Sequence, residues 1–275
     1  MEKLKKTDRL VVLSSVLTKN PNTLYSLTDL AALTGAAKST ISEDLALIKE
    51  MMISYSLGEL CSLAGAAGGI FYKPLQNEKD SREFLKELAD RLSDRERVIP
   101  GGFLYMNDVI FDPRIISRIG EIFYTKFQHT TPDYIVTMET KGIPVAAMTA
   151  RSFNIPLVII RNSGRVTEGS SVNINYLSGS TKRIQTMSLA RKALPDRAKV
   201  LIIDDFMKGG GTAQGMVNLL KEFNAEVVGI GVVMATGNPE QKLIKNYTAL
   251  LELISIDTET NDVVIEPFFE KKQLF

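Results

Sequence analysis

The groups best placed to do chemistry lie in one segment, Val200-Leu201-Ile202-Ile203-Asp204-Asp205-Phe206-Met207-Lys208-Gly209-Gly210-Gly211-Thr212. Four apolar residues end in two adjacent carboxylates. This reads as a buried strand with its acids at the carboxyl end, where open α/β sheets place their ligands. Three glycines then let the backbone wrap closely round a ligand, and a helix is expected from about Thr212. The N–H groups of such a loop, with the helix N-terminus behind them, form an anion site. Carboxylates do not bind phosphate; they suit sugar hydroxyls, or a Mg²⁺ ion beside one. Acids followed by an anion cradle describe a site for a ribose 5-phosphate. Neither G-x-x-x-x-G-K-[ST] nor G-x-G-x-x-G occurs here, and the acids precede the glycines, so nucleotide loops of those two kinds are excluded. A plain glycine turn with solvated acids is the ordinary reading of a glycine triplet. The apolar strand, the acid pair and Thr212 weigh against it.

That segment needs a sheet to hold it. From Gly102 onward, candidate strands (Phe103 to Met106, Tyr134 to Met138, Leu157 to Ile160, Val200 to Ile203, Val227 to Met234) alternate with candidate helices (Pro113 to Phe127, Pro144 to Phe153, Thr212 to Phe223, Pro239 to Tyr247). Alternation of this kind gives a mainly parallel sheet flanked by helices. Residues 1–76 have a different texture. Leu10, Val11, Leu13 and Leu17 mark a first helix, which Asn20-Pro21-Asn22 stops. Ser26 is a plausible N-cap of a second, and Ile41, Leu45 and Ile48 line a third running from about Ala37 to Met52. Thr40-Ile41-Ser42-Glu43 also fits a capping box, taken here as incidental. Ser54 to Leu75 reads as a hairpin with a small-residue tip. Three helices and a hairpin are the layout of a winged helix-turn-helix. In that layout Lys38, Ser39, Thr40 and Ser42 begin the recognition helix, where they can reach phosphates and base edges. A small dimerisation or interaction module would show the same pattern. The polar stretch from Pro74 to Asp80 is the expected linker, giving domains 1–76 and 77–275.

Composition removes several function classes. With 33 Lys and Arg against 32 Asp and Glu, no global positive field announces nucleic acid, and the head itself carries eight basic and seven acidic residues. The single cysteine, Cys61, allows no intrachain disulfide, which suits a reducing compartment. One histidine, His129, cannot build a His-rich metal site, and it reads as a polar residue at a helix end, not as the base of a Ser-His-Asp hydrolase. No metal centre and no catalytic set is expected. The longest near-apolar run, Val227 to Ala235, is about half of what a membrane helix needs. The start carries no secretory pattern, so a cytoplasmic protein is expected.

The glycine segment resembles the phosphoribosyl pyrophosphate (PRPP) signature of type I phosphoribosyltransferases. By that resemblance Asp204 and Asp205 hold the ribose hydroxyls, and Lys208, Gly209, Gly210, Gly211 and Thr212 hold the 5-phosphate. Thr137-Met138-Glu139-Thr140-Lys141-Gly142 resembles the family's pyrophosphate loop, and the polar stretch Asn162 to Lys182 sits where that family has its flexible hood. One departure is Lys208, where such transferases often carry Asp or Ala; a cation there favours holding an anion over acting as a base. No pocket for a second substrate is legible. With Ala37 to Asp44 in the head and Pro100-Gly101-Gly102-Phe103 opening the body, the whole chain resembles the purine operon repressor family of Gram-positive bacteria. The resemblance implies a homodimer that binds operator DNA of purine biosynthesis and transport genes. PRPP is the implied inducer, with or without Mg²⁺, and guanosine tetraphosphate a competitor for the same pocket; no cofactor is required. Phe103 and Phe206 are placed to stack a base, with core packing the plainer role for either, while Lys182, Arg183, Arg191, Lys192 and Arg197 are candidate DNA contacts or simply a solvated face. The alternatives are a true purine phosphoribosyltransferase with an accessory head, or a PRPP-dependent activator of the same genes.

Overall fold

The computed structural model describes residues 4–65, 67–164, 167, 169–177, 183–239 and 242–268. The chain falls into two compact units: residues up to Asn77 with Arg151–Asn154, and Glu78–Ala150 with Ile155 onward.

In the first unit, α1 (Lys6–Lys19), α2 (Leu27–Thr34) and α3 (Lys38–Ser54) precede the antiparallel hairpin β1 (Glu59–Leu63) and β2 (Gly69–Lys73). Leu13, Leu17, Leu30, Ile41, Leu60 and Ile70 close one core between helices and hairpin. Tyr25 bridges Ile70 and so adds a short third strand to the hairpin. A capping box does occur, but on α2: Ser26 Oγ accepts from the Asp29 N–H, and the Asp29 carboxylate accepts from the Ser26 N–H. The α3 helix starts after Ala37 with no side-chain cap. One charged pair lies inside this core. Arg9 Nε donates to Asp44 Oδ2 at 2.7 Å and Nη2 to Oδ1 at 3.4 Å, and both side chains are buried. The pair ties α1 to α3 from the side facing away from solvent.

The second unit opens with α4 (Glu78–Leu92), the two-residue strands β3 (Val98–Ile99) and β4 (Phe103–Leu104), α5 (Asn107–Ile110) and α6 (Pro113–Phe127). There follow β5 (Tyr134–Met138), α7 (Gly142–Phe153), β6 (Leu157–Ile160), the hairpin β7 (Ser171–Leu177) and β8 (Ile184–Ala190), β9 (Lys199–Met207), α8 (Gly211–Lys221), β10 (Glu226–Thr236), β11 (Thr248–Ile256) and β12 (Val263–Pro267). The main sheet runs β12-β11-β10-β9-β5-β6, with every neighbouring pair parallel except β11 and β12. Two expectations are corrected. The described residues between Pro239 and Tyr247 form no helix, because the Leu243 N–H is drawn to the Gly209 carbonyl of the glycine loop and the Lys242 ammonium to the Thr236 and Pro239 carbonyls. Part of the stretch read as a mobile hood is ordered strand: Val172, Ile174 and Tyr176 alternate inward from β7 onto the core around α8. Lys182 and residues 165, 166, 168 and 178–181 of that stretch lie outside the described residues. Among the described residues, no helix is long and apolar enough to cross a membrane.

Removing one member of a buried ion pair leaves the other charge unpaired, so Asp44→Ala should cost the first unit about 3–5 kcal/mol. Replacing both partners, Arg9→Met with Asp44→Leu, should recover most of that in a urea titration. An additive loss in the double variant would refute the pairing.

Candidate functional site

Strand β9 lies between β5 and β10, and Val200, Leu201, Ile202 and Ile203 are wholly buried there. The two acids therefore arrive at the carboxyl edge of the sheet on a rigid element. Asp204 sits opposite Val232 of β10, and its Oδ1 accepts from the Asp205 N–H at 3.1 Å. Asp204 is only 8% exposed. Burial pushes its carboxyl well above the usual carboxylate range, and the neighbouring Asp205 charge adds to the rise. Burial raises Asp205 as well, with Lys141 acting against it.

Beyond the acids the backbone turns through Lys208 and Gly209 to Gly210, the α8 N-cap, at φ +79° with no side-chain cap. This left-handed conformation suits glycine. It leaves the first N–H groups of α8 lining a small cavity of about 80 Å³, bounded by residues 206–213. Of the anticipated cradle residues, Met207 contributes only backbone, because its side chain is buried in the core.

Two further cavities open onto the same acids. One, of about 280 Å³, is shared by Glu139, Thr140, Asn162, Tyr176, Gln185 and Thr212 with both carboxylates. The loop at residues 139–142 is fitted tightly to β9. A Cβ on Gly142 would lie 2.3 Å from Thr137 Oγ1 and 2.4 Å from Asp204 Oδ1. The Glu139 carboxylate is already engaged, by the Asn162 N–H at 2.7 Å and Arg161 Nη1 at 3.3 Å. Those bonds fix the loop, in which Thr140 and Lys141 are exposed. Tyr176 Oη donates to Gln185 Oε1 at 2.7 Å, the phenol also bonds to the Thr212 side chain, and burial raises its pKa. The inward period-two pattern of β7 was the signal that could have found Tyr176. Gln185 follows only from knowing the hairpin register.

The third cavity, of about 780 Å³, is one that the sequence does not make legible. Phe103, Phe206, Leu253 and Ile254 give it apolar walls, and Lys141, Asp205 and Lys208 flank it. Its residues come from widely separated stretches, so no local motif announces it. The Phe103 segment is placed by Arg97, which donates to both oxygens of Asp108 at 2.8 and 2.9 Å and to the Tyr105 carbonyl at 3.1 Å. Those bonds hold the Asp108 carboxyl far below its usual range. Phe103 itself is 60% exposed, too open for a core role.

Asp204 thus borders the glycine cradle and the Glu139 cavity, and Asp205 borders the Glu139 cavity and the wide apolar one. Among the described residues, no group of three or more His, Cys, Asp or Glu side chains gathers that could hold a metal ion. In the first unit, Lys38, Ser39 and Ser42 are exposed at the start of α3 and Thr40 is half-buried. Arg183, Arg191, Lys192 and Arg197 are exposed on the second unit, Arg197 beside Asp196.

A parallel sheet with acids and a glycine loop at its carboxyl edge is the arrangement of the phosphoribosyl transferase domain, and residues 106–268 match that family. The second unit is similar in fold to adenine phosphoribosyltransferase from Rhodothermus marinus, with a TM-score of 0.53 and 21% identity over 62% of this chain and 99% of that one. Residues 5–74 match the family described as bacterial purine repressor, N-terminal. Over 264 residues the chain is 42% identical to the purine biosynthesis transcriptional repressor PurR of Bacillus subtilis, covering 96% of this chain and 93% of that protein. It is 34% identical over 263 residues to the purine biosynthesis transcriptional activator PurR of Lactococcus lactis, covering 96% and 97%. The chain belongs to the bacterial purine repressor family of transcriptional regulators.

Because the raised Asp204 carboxyl holds a proton that the unfolded chain gives up near pH 4, folded stability falls as pH rises from there through the raised range. Asp204→Asn cannot ionise. It should raise the neutral-pH melting temperature by about 2–4 °C, a gain that shrinks toward pH 4. A variant that melts below wild type at neutral pH, with an unchanged pH slope, would contradict the buried-carboxyl account.

Proposed function

We propose that the protein is a cytoplasmic, homodimeric repressor of purine biosynthesis and transport genes, and that PRPP bound in the second unit relieves its hold on operator DNA. The observation that carries this reading is the acid pair placed where a glycine-loop cavity, the cavity at Glu139 and a wide apolar-walled cavity meet. In it Asp204 and Asp205 take the ribose hydroxyls, residues 208–212 the 5-phosphate, and the loop at 139–142 the pyrophosphate. Guanosine tetraphosphate would compete there, its base between Phe103 and Phe206. Lys208 supplies a fixed cation where a transferase needs none, which favours holding an anion over turning it over. In the first unit, the exposed start of α3 would enter the major groove, and a dimer would present two such helices to two half-sites.

The mechanism is linkage. PRPP favours a body conformation or charge state less compatible with DNA, so DNA weakens PRPP binding by the same factor, commonly about 1–3 kcal/mol of coupling. Two observations favour second readings. The wide cavity beside Asp205 would admit a purine base, and a retained transferase would release pyrophosphate from PRPP when a nucleobase is added. The kinship with an activator leaves the sign of regulation to a transcription assay on a purine promoter.

The test is fluorescence anisotropy with DNA from upstream of a purine biosynthesis gene, at fixed salt, with and without PRPP and Mg²⁺. Wild type should bind, and PRPP should release it. Asp204→Ala and Asp205→Ala should bind DNA normally and ignore PRPP. Lys38→Ala should lose about 1–3 kcal/mol of DNA affinity with PRPP binding intact. Acid variants that still respond at the wild-type PRPP concentration would remove the effector from this pocket.

A further inference from the structure

A glycine loop that turns its N–H groups toward an anion must turn its carbonyls away, and buried carbonyls need donors. Here two of those donors come from outside the loop. Gly209 O accepts from the Leu243 N–H at 3.0 Å, and Lys208 O from Thr236 Oγ1 at 3.3 Å. Only Gly210 O is served by the helix that follows, through the Gln214 N–H at 2.8 Å. The segment behind the loop also sets its distance, since a Cβ on Gly210 would meet the Ile244 nitrogen at 3.2 Å.

That supporting segment has no regular structure of its own among the described residues of 237–247. Ile244 and Tyr247 pack it against the core, and at its start one half-buried ammonium fastens it: Lys242 Nζ donates to Thr236 O at 2.6 Å and to Pro239 O at 3.1 Å. Thr236 shares its single hydroxyl proton between Asn238 O and Lys208 O, with the shorter arm to Asn238, so it cannot brace the loop alone. Lys242 immediately precedes Leu243, whose N–H reaches Gly209. It does not line the cradle, and it points to carbonyls, not to the anion.

We propose that Lys242 is a positioning residue for the phosphate cradle. It clamps the end of β10 to the segment that follows, so that Leu243 is delivered to Gly209 and the loop's N–H groups stay aimed at a 5-phosphate. The proposal rests on reading residues 208–212 as that cradle. It assigns a function to a lysine that touches no ligand.

The experiment is isothermal titration of the full chain with ribose 5-phosphate and, separately, inorganic pyrophosphate. In Lys242→Met, ribose 5-phosphate should bind about tenfold more weakly, the size expected for losing charge-assisted bonds that orient one loop. Pyrophosphate affinity and DNA affinity without effector should not change, and Lys242→Arg should keep most of the ribose 5-phosphate binding. Lys242→Gln serves if the methionine variant does not fold. Unchanged ribose 5-phosphate affinity in folded variants overturns the proposal, and so does equal weakening of both ligands, which would mean general loosening. A wild-type chain that binds no ribose 5-phosphate overturns the cradle reading itself, and the proposal with it.

Discussion

The arrangement on which the second unit depends is a pair of acidic side chains carried into a low-dielectric interior on a central strand. Asp204 and Asp205 follow four fully buried aliphatic residues on β9, with β5 and β10 on either side, which leaves Asp204 buried and Asp205 half-buried in a fixed place. Such burial disfavours the charged form, and two adjacent carboxyls disfavour it further. Both carboxyls therefore keep a proton more readily than a solvated acid does, in a fixed geometry. The parallel strands supply the rigidity, and the glycine loop supplies close approach.

The surrounding loops serve the same constraint by different means. Glu139 uses its carboxylate to hold its own loop against Arg161 and Asn162. Arg97 and Asp108 do the equivalent for the segment bearing Phe103. Each of these two segments is thus fastened by an ion pair and its hydrogen bonds.

Sequence reasoning reaches the parts of this design that are local. The helix-turn-helix pattern, the β9 strand with its acids and the start of α8 near Thr212 each depend on residues within about one turn or strand length, where periodicity speaks directly. Non-local features are silent. Arg9 reads as an ordinary basic residue of an amphipathic helix until Asp44 is placed beside it. The wide cavity draws on β3, β4 and β11 at once. The segment after Pro239 carries apolar residues at helical spacing, yet the demand of the phosphate-loop carbonyls for donors overrides that preference. The polar stretch after Asn162 misleads in the other direction. Its Ser, Asn and Gly content suggests a loop, while the alternation of Val172, Ile174 and Tyr176 makes strand.

The space at Gly142 has a consequence for how such proteins change over generations. A methyl group there would collide with both Thr137 Oγ1 and Asp204 Oδ1, and Thr137 Oγ1 is already buried with no hydrogen-bond partner. The three positions belong to three separate elements, yet they divide one small volume. None can be enlarged while the other two stay as they are. They form a single heritable unit, and a lineage that alters one must alter its companions in the same interval or surrender the acid's position.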